Sequence, residues 1–383
     1  MGVALFSMVF LETSCCRQPR IWSILQRRDA WAHSKTRINY GGQSAQLSDI
    51  RSLRPDQARW SFSSQQATLG RLNKAFAGFF GRVRAGRTPG YPRFNGRARF
   101  HSVQWPKDGD GARWWPDQRR VYRQGIGAVT VQVHRQVQGR VKTIQVKRQG
   151  RRWMLVLSCD EVPTKPLPAI GGQGGIDVGV LTYATLSDGT AVANPRWAGQ
   201  EAGRLQAAQQ RLQRAKRGSK NRVARRETVA ARHRKIANRG KDFHHQQARE
   251  LAARYHLLVV EDLTIANMGR RAKPKPDPDN PGQFLPNGAR AKSGLNRSIS
   301  DAGWGQFVSI LRAKAEDAGR TWIEVNPRHT SNRCQCCGHA APENRVSQAE
   351  FVCQRCGHSA PADEHAARNI LRAGLALHAA TAA

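Results

Sequence analysis

The sequence predicts a multidomain α/β protein, and three observations support this prediction. The chain has 383 residues, which is enough for about two or three domains. Apolar residues recur with helical spacing over residues 24–100 and 197–256, whereas they alternate with polar residues over 120–160. Beyond residue 174, strand patterns and helical patterns follow one another, an order typical of a sheet covered by helices.

The N-terminal half combines basic helices with a block of strands. One helix places five apolar residues on a single face: Leu69, Leu72, Phe76, Phe79 and Val83. Over residues 120–160 the period of two, with turns at Gly139 and Gly150, indicates antiparallel strands in a small barrel or sheet. The segment EVPTKPLPAIGGQ that follows is rich in proline and glycine, which predicts a domain boundary.

A loop between these two regions, RTPGYPRFNGRARF, alternates aromatic residues with arginines. Such a loop can place guanidinium groups on phosphates and rings on bases, although a plain surface loop is the alternative. The candidate nucleic-acid contacts in and before it are Arg82, Arg84, Arg87, Tyr91, Arg93 and Arg97.

The charge of the chain is strongly positive. It carries 63 lysine and arginine residues against 27 aspartate and glutamate residues, a net charge of +36. A polyanion is the expected partner, and nucleic acid is favoured over an anionic membrane because neutralised phosphates release counterions. No apolar run reaches the ~18 residues of a membrane-spanning helix. The opening MGVALFSMVFLET lacks a positive segment, so we expect a strand there rather than a signal peptide.

Three acidic residues occupy unusual places in the C-terminal half. Asp177 lies within the apolar strand pattern GGIDVGVL, and Glu261 ends the apolar pattern LLVVE. A carboxylate among strand hydrophobics is costly to bury unless it is paired or binds a metal, and a solvent-exposed strand end is the alternative. Because side chains alternate along a strand, Glu261 and Asp262 face opposite sides and only one of them can join a shared site. Asp188, in SDGT, is expected in a hairpin turn.

The third acid, Asp363, begins the helical pattern ADEHAARNIL. The small residues Ala366 and Ala367 would let this helix approach a sheet closely, which places Asp363 over the sheet edge where Asp177 and Glu261 could meet it. Three carboxylates around one point are typical of a two-Mg²⁺ nuclease site.

Five cysteines cluster within one short segment, which indicates a metal site in a reducing compartment rather than disulfides. Two Cys-x-x-Cys knuckles supply four thiolates for tetrahedral zinc: Cys334, Cys337, Cys353 and Cys356. Cys336 is a spare thiol, and His339 and His358 are alternative ligands. A site with four protein ligands has no open position, so this zinc is expected to be structural.

Several stretches taken together resemble the TnpB family. GGIDVGVLTYATLSDGT, VVEDLTIANM, the knuckles CQCCG and CQRCG, and DEHAARNI are similar to the three split motifs and the zinc ribbon of its RuvC-like nuclease. The N-terminal half of the family is similar to two further segments, LQRRDAWAHSKTRINYGGQSAQLSDIRSLRPD and KAFAGFFGRVRAGRTPGYPRFNGRARFHSVQW. The resemblance covers about residues 24–371.

Members of that family are transposon-encoded, RNA-guided DNA endonucleases related to compact type V CRISPR effectors. The resemblance implies that this chain binds a guide RNA from the transposon end and cuts double-stranded DNA beside a short motif, in a single RuvC-like site. It implies that Asp177, Glu261 and Asp363 are catalytic and hold two Mg²⁺ ions, and that the four knuckle cysteines hold one zinc ion. A positive channel for the guide–target heteroduplex would account for the charge.

The resemblance also divides the chain into parts with an RNase H-like (RuvC) nuclease at the end. These are a divergent segment with a wedge strand (1–23), a helical recognition domain (24–115), a wedge β-barrel (116–165), a linker (166–173), the nuclease with its first two motifs (174–330), an inserted zinc ribbon (331–358), and the third motif with the C-terminal helix (359–383). Two features depart from the family pattern. The N-terminal segment is short, and His365 stands where asparagine is usual, so we expect altered hydrogen bonding beside a metal site that is kept.

Other functions remain open from the sequence. An RNA-guided DNA-binding protein without cleavage would share the basic lobe, and a compact type V CRISPR effector would share the nuclease. A transposase that joins DNA strands directly is disfavoured by the guide-type lobe and the ribbon. We expect a monomer in the cytoplasm of a prokaryotic cell, associated with the nucleoid and without a membrane partner.

Overall fold

The computed structural model describes residues 20–93, 100–150, 152–280 and 282–382. The chain divides into two compact units, Met1–Pro163 and Thr164–Ala383, and the predicted linker 166–173 begins just after this division. The strand predicted for the first residues lies outside the described part. None of the described helices is long and apolar enough to cross a membrane.

The first unit begins with helices. They are α1 (20–34), α2 (Tyr40–Leu53), α3 (Pro55–Ala58) and α4 (Phe62–Arg84). Asn39 caps α2 and Ser61 caps α4 by accepting hydrogen bonds from backbone amides in the first turn. The apolar stripe predicted on α4 is buried at Leu69 and Leu72, but Val83 is 48% exposed because only the first part of the stripe packs against other helices and strands.

Strands follow the helices in the described part of the first unit. They are β1 (Ser102–Trp105), β2 (Ala112–Trp115), β3 (Arg120–Arg123), β4 (Gly127–Thr130), β5 (Arg140–Gln149) and β6 (Arg152–Asp160). Two antiparallel sheets result, with strand orders β1-β5-β6 and β2-β3-β4. The antiparallel strands predicted over 120–160 are confirmed.

The helical pattern predicted over 24–100 is followed by two short strands, β1 and β2, which lie inside the range 24–115 expected for a helical recognition domain. Each of these strands has four residues, too short for a period of two to be recognised. Trp105 and Trp114 bury their rings in the core of the first unit. This burial across strands stabilises the short strands, and it depends on tertiary packing rather than on local pattern.

The second unit alternates strands and helices as predicted. Its elements are β7 (Gln173–Val178), β8 (Thr182–Leu186), β9 (Ala191–Ala193), α5 (Trp197–Arg214), α6 (Lys220–Arg254), β10 (Leu257–Glu261), α7 (Ile265–Met268), β11 (Lys275–Pro276), β12 (Phe284–Leu285), α8 (Ala289–Ala302), α9 (Trp304–Asp317), β13 (Thr321–Val325), β14 (Glu350–Val352), β15 (Ser359–Pro361) and α10 (Ala362–Ala382).

Five of these strands form one mixed sheet in the order β13-β10-β7-β8-β9. β10 runs parallel to both β7 and β13. β8 pairs antiparallel with β7, and β9 pairs antiparallel with β8. Asp188 lies in the turn between β8 and β9, as predicted, and accepts a hydrogen bond from the Thr190 amide. Since β7 and β10 are parallel neighbours, their carboxyl ends meet at the same edge of the sheet.

The two faces of this sheet bury different residues of β10. Leu258 and Val260 pack into the core that contains α6 and α9, whereas Leu257 and Val259 pack with Ile370 of α10. This is the alternation expected of a strand covered on both sides.

The basic helical block predicted over 197–256 is two helices, α5 and α6, joined by residues 215–219. Glu201 is buried on α5, and four cations lie within 3.6 Å of its carboxylate: Arg204, Arg232, Lys235 and Arg239. The hydrogen bond from Lys235 is the largest cause of a lowered Glu201 pKa. One carboxylate thus ties the two basic helices together.

α10 lies unusually close to the sheet. A Cβ atom added at Gly175 of β7 would stand 2.2 Å from the Ala367 carbonyl oxygen of α10, and one added at Gly374 would stand 2.5 Å from the Val259 methyls. Ala366 and Ala367 are buried, so the predicted close approach is confirmed. The two glycines that make it possible were not identified from the sequence.

Replacing Gly175 by alanine is expected to destabilise the protein by at least about 1–3 kcal/mol, because the new methyl meets rigid backbone rather than a flexible side chain. The free energy of unfolding in urea would measure this. Gly203→Ala is the matched control, since a Cβ there meets nothing within 4 Å and lies within α5; this change should stabilise by about 0.5–1 kcal/mol. Equal stability of the Gly175 variant and wild type would contradict the close packing.

Candidate active site

The sheet places two of the predicted acids side by side. Asp177 is the last residue but one of β7, Glu261 ends β10, and the parallel register pairs Ile176 with Val260 immediately before them. Glu261 follows Leu257 and Val259 at intervals of two, so it faces α10, and Asp177 follows Gly175 toward the same face. Asp262, the residue after β10, is exposed.

The third acid, Asp363, lies in the first turn of α10, the helix that covers this face. Because α10 packs against both β7 and β10, its N-terminal turn brings the carboxylate to the edge where the two strands end. The structure thus brings the three predicted acids together.

Their electrostatics reflect this proximity. Burial, followed by the negative charges of Glu261 and Asp363, raises the pKa of Asp177 to about 7. Burial also raises the pKa of Glu261, and the hydrogen bond from Thr330 partly opposes the rise. A carboxylate in such a place is stabilised by protonation or by a cation.

Two residues that contact the acids were not predicted from the sequence. Arg345 donates a hydrogen bond of 3.2 Å to Asp363, and its charge also lowers the pKa of Asp177. Thr330 donates a hydrogen bond of 2.5 Å to Glu261. Thr330 lies in the loop before the first cysteine knuckle, and Arg345 lies between the two knuckles. These loops have no periodic pattern that would show which residues face the sheet.

The four knuckle cysteines form a compact cluster. Their sulfur atoms all lie within 4.8 Å of one another, with 3.6 Å from Cys334 to Cys356 and 3.5 Å from Cys337 to Cys353. Tetrahedral zinc with ~2.3 Å bonds spaces its sulfurs about 3.8 Å apart, so the cluster fits a zinc site. The spare thiol Cys336 and the two histidines offered as alternatives are not part of it. Gly338 and Gly357 follow the knuckles in the left-handed conformation expected of such turns.

The chemistry of the three acids suits a different metal. Carboxylate oxygens are the ligands that Mg²⁺ prefers, and burial among like charges gives a cation a strong place to bind. Among the described residues the three carboxylates do not form a cluster as tight as that of the sulfurs. The burial of Asp177 and Glu261, with one arginine, Arg345, paired with the half-exposed Asp363, fits a divalent cation better than a purely structural ion pair.

His365 lies on α10 and contacts the segment that carries the four cysteines. Its ring stacks on Phe351 with centroids 3.7 Å apart, and its Nε2 donates a hydrogen bond of 2.8 Å to the Arg333 carbonyl. Burial is the largest cause of its lowered pKa, which favours the neutral ring. The residue that departs from the family pattern therefore packs against the four-cysteine segment, two residues beyond Asp363.

The candidate nucleic-acid residues of the first unit have mixed surroundings. Arg82 donates hydrogen bonds to the carbonyls of Pro89 and Gly90, and Tyr91 packs edge-on against Phe76 and Phe79. These contacts shape the loop. Three further candidates are exposed: Arg84, Arg87 and Arg93. Arg97 lies outside the described residues.

Comparison with known proteins places the chain in a family. A model described as "Probable transposase" (OrfB_IS605) matches residues 157–272, and one described as "Cas12f1-like, TNB domain" matches residues 304–370. The chain is 33% identical over 342 residues to InsQ of Escherichia coli (strain K12), whose name describes an RNA-guided DNA endonuclease; the match covers 89% of this chain and 82% of that protein. The chain belongs to the TnpB family.

Further relatives agree with TnpB membership. A protein of Streptomyces pristinaespiralis, also named as an RNA-guided DNA endonuclease, is 30% identical over 360 residues, 92% of this chain and 82% of the relative. The CRISPR-associated endodeoxyribonuclease Cas12f1 of Sulfoacidibacillus thermotolerans is 44% identical over 57 residues, 15% of this chain and 14% of its own. A solved Cas12f1–sgRNA–target DNA complex aligns with 18% identity and a TM-score of 0.36 over 96% of this chain and 94% of that chain, too loosely to support an argument.

We expect the purified protein to contain one zinc ion per chain, because four thiolates satisfy tetrahedral zinc. Elemental analysis should show zinc in the Cys336→Ser variant at the wild-type level and a large loss of zinc from Cys353→Ser. Thermal unfolding should shift down in the latter only, since binding free energy of a structural metal is folding free energy. Full zinc content in Cys353→Ser would refute this ligand set.

Asp177→Asn is expected to stabilise the protein in magnesium-free buffer near neutral pH. A carboxyl whose folded pKa is raised to about 7 contributes stability below its unfolded pKa and loses that contribution as the pH rises through 7. The asparagine side chain is uncharged at every pH and so avoids this loss of folding stability, which is at most roughly 4 kcal/mol.

Thermal unfolding at about pH 8 should therefore favour the variant, and the difference should shrink toward about pH 5. Asp262→Asn, which removes the neighbouring exposed acid, is the control and should change little. A lower melting temperature for Asp177→Asn at both pH values would contradict the repulsion among the three acids.

Proposed function

We propose that this chain is the RNA-guided DNA endonuclease of a transposon, which cuts target DNA at a single site formed by Asp177, Glu261 and Asp363. The observation that carries the proposal is the meeting of three carboxylates, two of them largely buried, at one sheet edge in a chain of the TnpB family. Two named RNA-guided DNA endonucleases match most of the chain, which supports the same activity.

The second unit is proposed as an RNase H-like nuclease with an inserted zinc ribbon. The sheet order β13-β10-β7-β8-β9, with two parallel and then two antiparallel pairs of neighbouring strands, supports this fold. The helices of the first unit are proposed as the recognition domain and its strands as most of the wedge. A net charge of +36 suits a channel for a guide–target heteroduplex, whose phosphates must be neutralised whatever their sequence.

The carboxylates of Asp177, Glu261 and Asp363 would hold two Mg²⁺ ions, which when bound activate water and stabilise charge on the phosphate in an in-line displacement. The chain contributes the geometry. β7 and β10 fix two acids on one face, and α10 brings the third over them. Arg345, beside Asp363, adds a positive charge where a phosphate would approach. The four-cysteine ribbon is proposed to hold one zinc ion and to carry Arg345.

Asp177→Ala should abolish cleavage of a plasmid target in the presence of the cognate RNA and Mg²⁺, because it removes a ligand from the centre of the site. RNA binding, measured by gel shift, should stay at the wild-type level since Asp177 is not a cation and lies outside the basic helices α5 and α6. Asp262→Ala is the matched control and should cut.

Undiminished cutting by Asp177→Ala would overturn the site. Binding of the target without cutting by the wild-type protein would instead favour the non-cleaving alternative, and strand-transfer products formed without RNA would favour a transposase.

A further inference from the structure

The turn that follows β13 returns toward the end of β10. The side chain of Asn326 accepts a hydrogen bond from the Arg328 amide, and His329 adopts a left-handed backbone with φ of +67°. This conformation is uncommon for a residue with a side chain and persists where surrounding contacts hold it. The turn brings Thr330 back beside Glu261, although the two residues are 69 positions apart.

Thr330 is buried, and its hydroxyl faces the candidate site. Its Oγ1 lies 2.5 Å from Glu261 Oε1 and 2.9 Å from the Pro327 carbonyl oxygen. A hydroxyl has one proton to donate, and a carboxylate is the stronger acceptor. The hydroxyl therefore donates to Glu261 and fixes the orientation of that carboxylate.

A second contact holds Thr330 from the opposite side. Asn369 lies on α10. Its Nδ2 donates to the Thr330 carbonyl at 2.9 Å and to the Arg333 carbonyl at 2.7 Å. Asn369 is itself buried. Because α10 also carries Asp363, a continuous path of hydrogen bonds joins the helix of one acid to the carboxylate of another.

We propose that Thr330 is a positioning residue of the nuclease, which orients the Glu261 carboxylate for the catalytic divalent cation while Asn369 keeps Thr330 in register with α10. This inference rests on the proposed function and deepens it. Partners that orient a ligating carboxylate generally affect metal affinity or activity by about 10- to 100-fold when removed.

Thr330→Val, Thr330→Ser and Ser331→Ala test the proposal. Valine keeps the shape and removes the hydroxyl, serine keeps the hydroxyl, and Ser331→Ala removes the neighbouring hydroxyl as the matched control. Two properties are measured. The first is the Mg²⁺ dependence of target cleavage by the protein–RNA complex; the second is Mn²⁺ binding to the purified protein without RNA, by EPR. Zinc content and melting temperature are recorded for each variant.

Thr330→Val should cut about 10- to 100-fold more slowly, require more Mg²⁺ and bind Mn²⁺ more weakly, with zinc content unchanged. Thr330→Ser and Ser331→Ala should behave like wild type. Wild-type rates and metal dependence in Thr330→Val, failure of serine to rescue, or loss of zinc from the valine variant would each overturn the positioning role.

The proposed function fails in a distinguishable way. If the wild-type protein does not cut at all, the nuclease assignment is lost, but Mn²⁺ binding still compares Thr330→Val with Thr330→Ser. Weaker binding in the valine variant alone would then uphold the positioning of Glu261 for a cation. Equal binding in both variants would remove that role as well.

Discussion

Three carboxylates brought together at one sheet edge, two of them largely buried, are the constraint on which the second unit depends. Carboxylates repel one another and lose hydration on burial, so the arrangement survives only because the rest of the fold imposes it. The raised pKa of Asp177 is the electrostatic sign of that cost. Residues that create function commonly reduce stability in this way, and the surrounding packing has to offset the loss.

That packing comes from two sides. Parallel pairing of β7 with β10 places Asp177 beside Glu261, and the contact of α10 with Gly175 sets how near the third acid can come. The four-cysteine segment and the residues before it supply the remaining restraints. Arg345 pairs with Asp363, and His365 and Asn369 of α10 donate to the Arg333 carbonyl just before the first knuckle. The four-cysteine segment between β13 and α10 therefore lies in direct contact with the candidate site, so it contributes to the arrangement of the acids as well as to its own stability.

The positively charged residues are not gathered at one point as the three acids are. Most of the cations on α5 and α6 are exposed, and Glu201 neutralises a small share of them while joining the two helices. In the first unit, Arg82 and Tyr91 fold the basic loop on itself, whereas neighbouring arginines stay exposed. Some basic residues of such a surface thus build the scaffold, and sequence alone does not separate these from residues left for a partner.

The sequence by itself determined the chemical groups and their approximate elements: four cysteines at zinc spacing, three acids at the ends of strand and helix patterns, the mixed order of strands and helices, and the resemblance to TnpB. These features follow from the spacing of nearby residues, which can be read directly from the sequence. Only the tertiary structure decided that β1 and β2 are strands, that Gly175 and Gly374 admit α10, and that Thr330 and Arg345 reach the acids. Each of these depends on atoms brought together from distant parts of the chain, where burial and hydrogen bonding outweigh the preferences of the residues themselves.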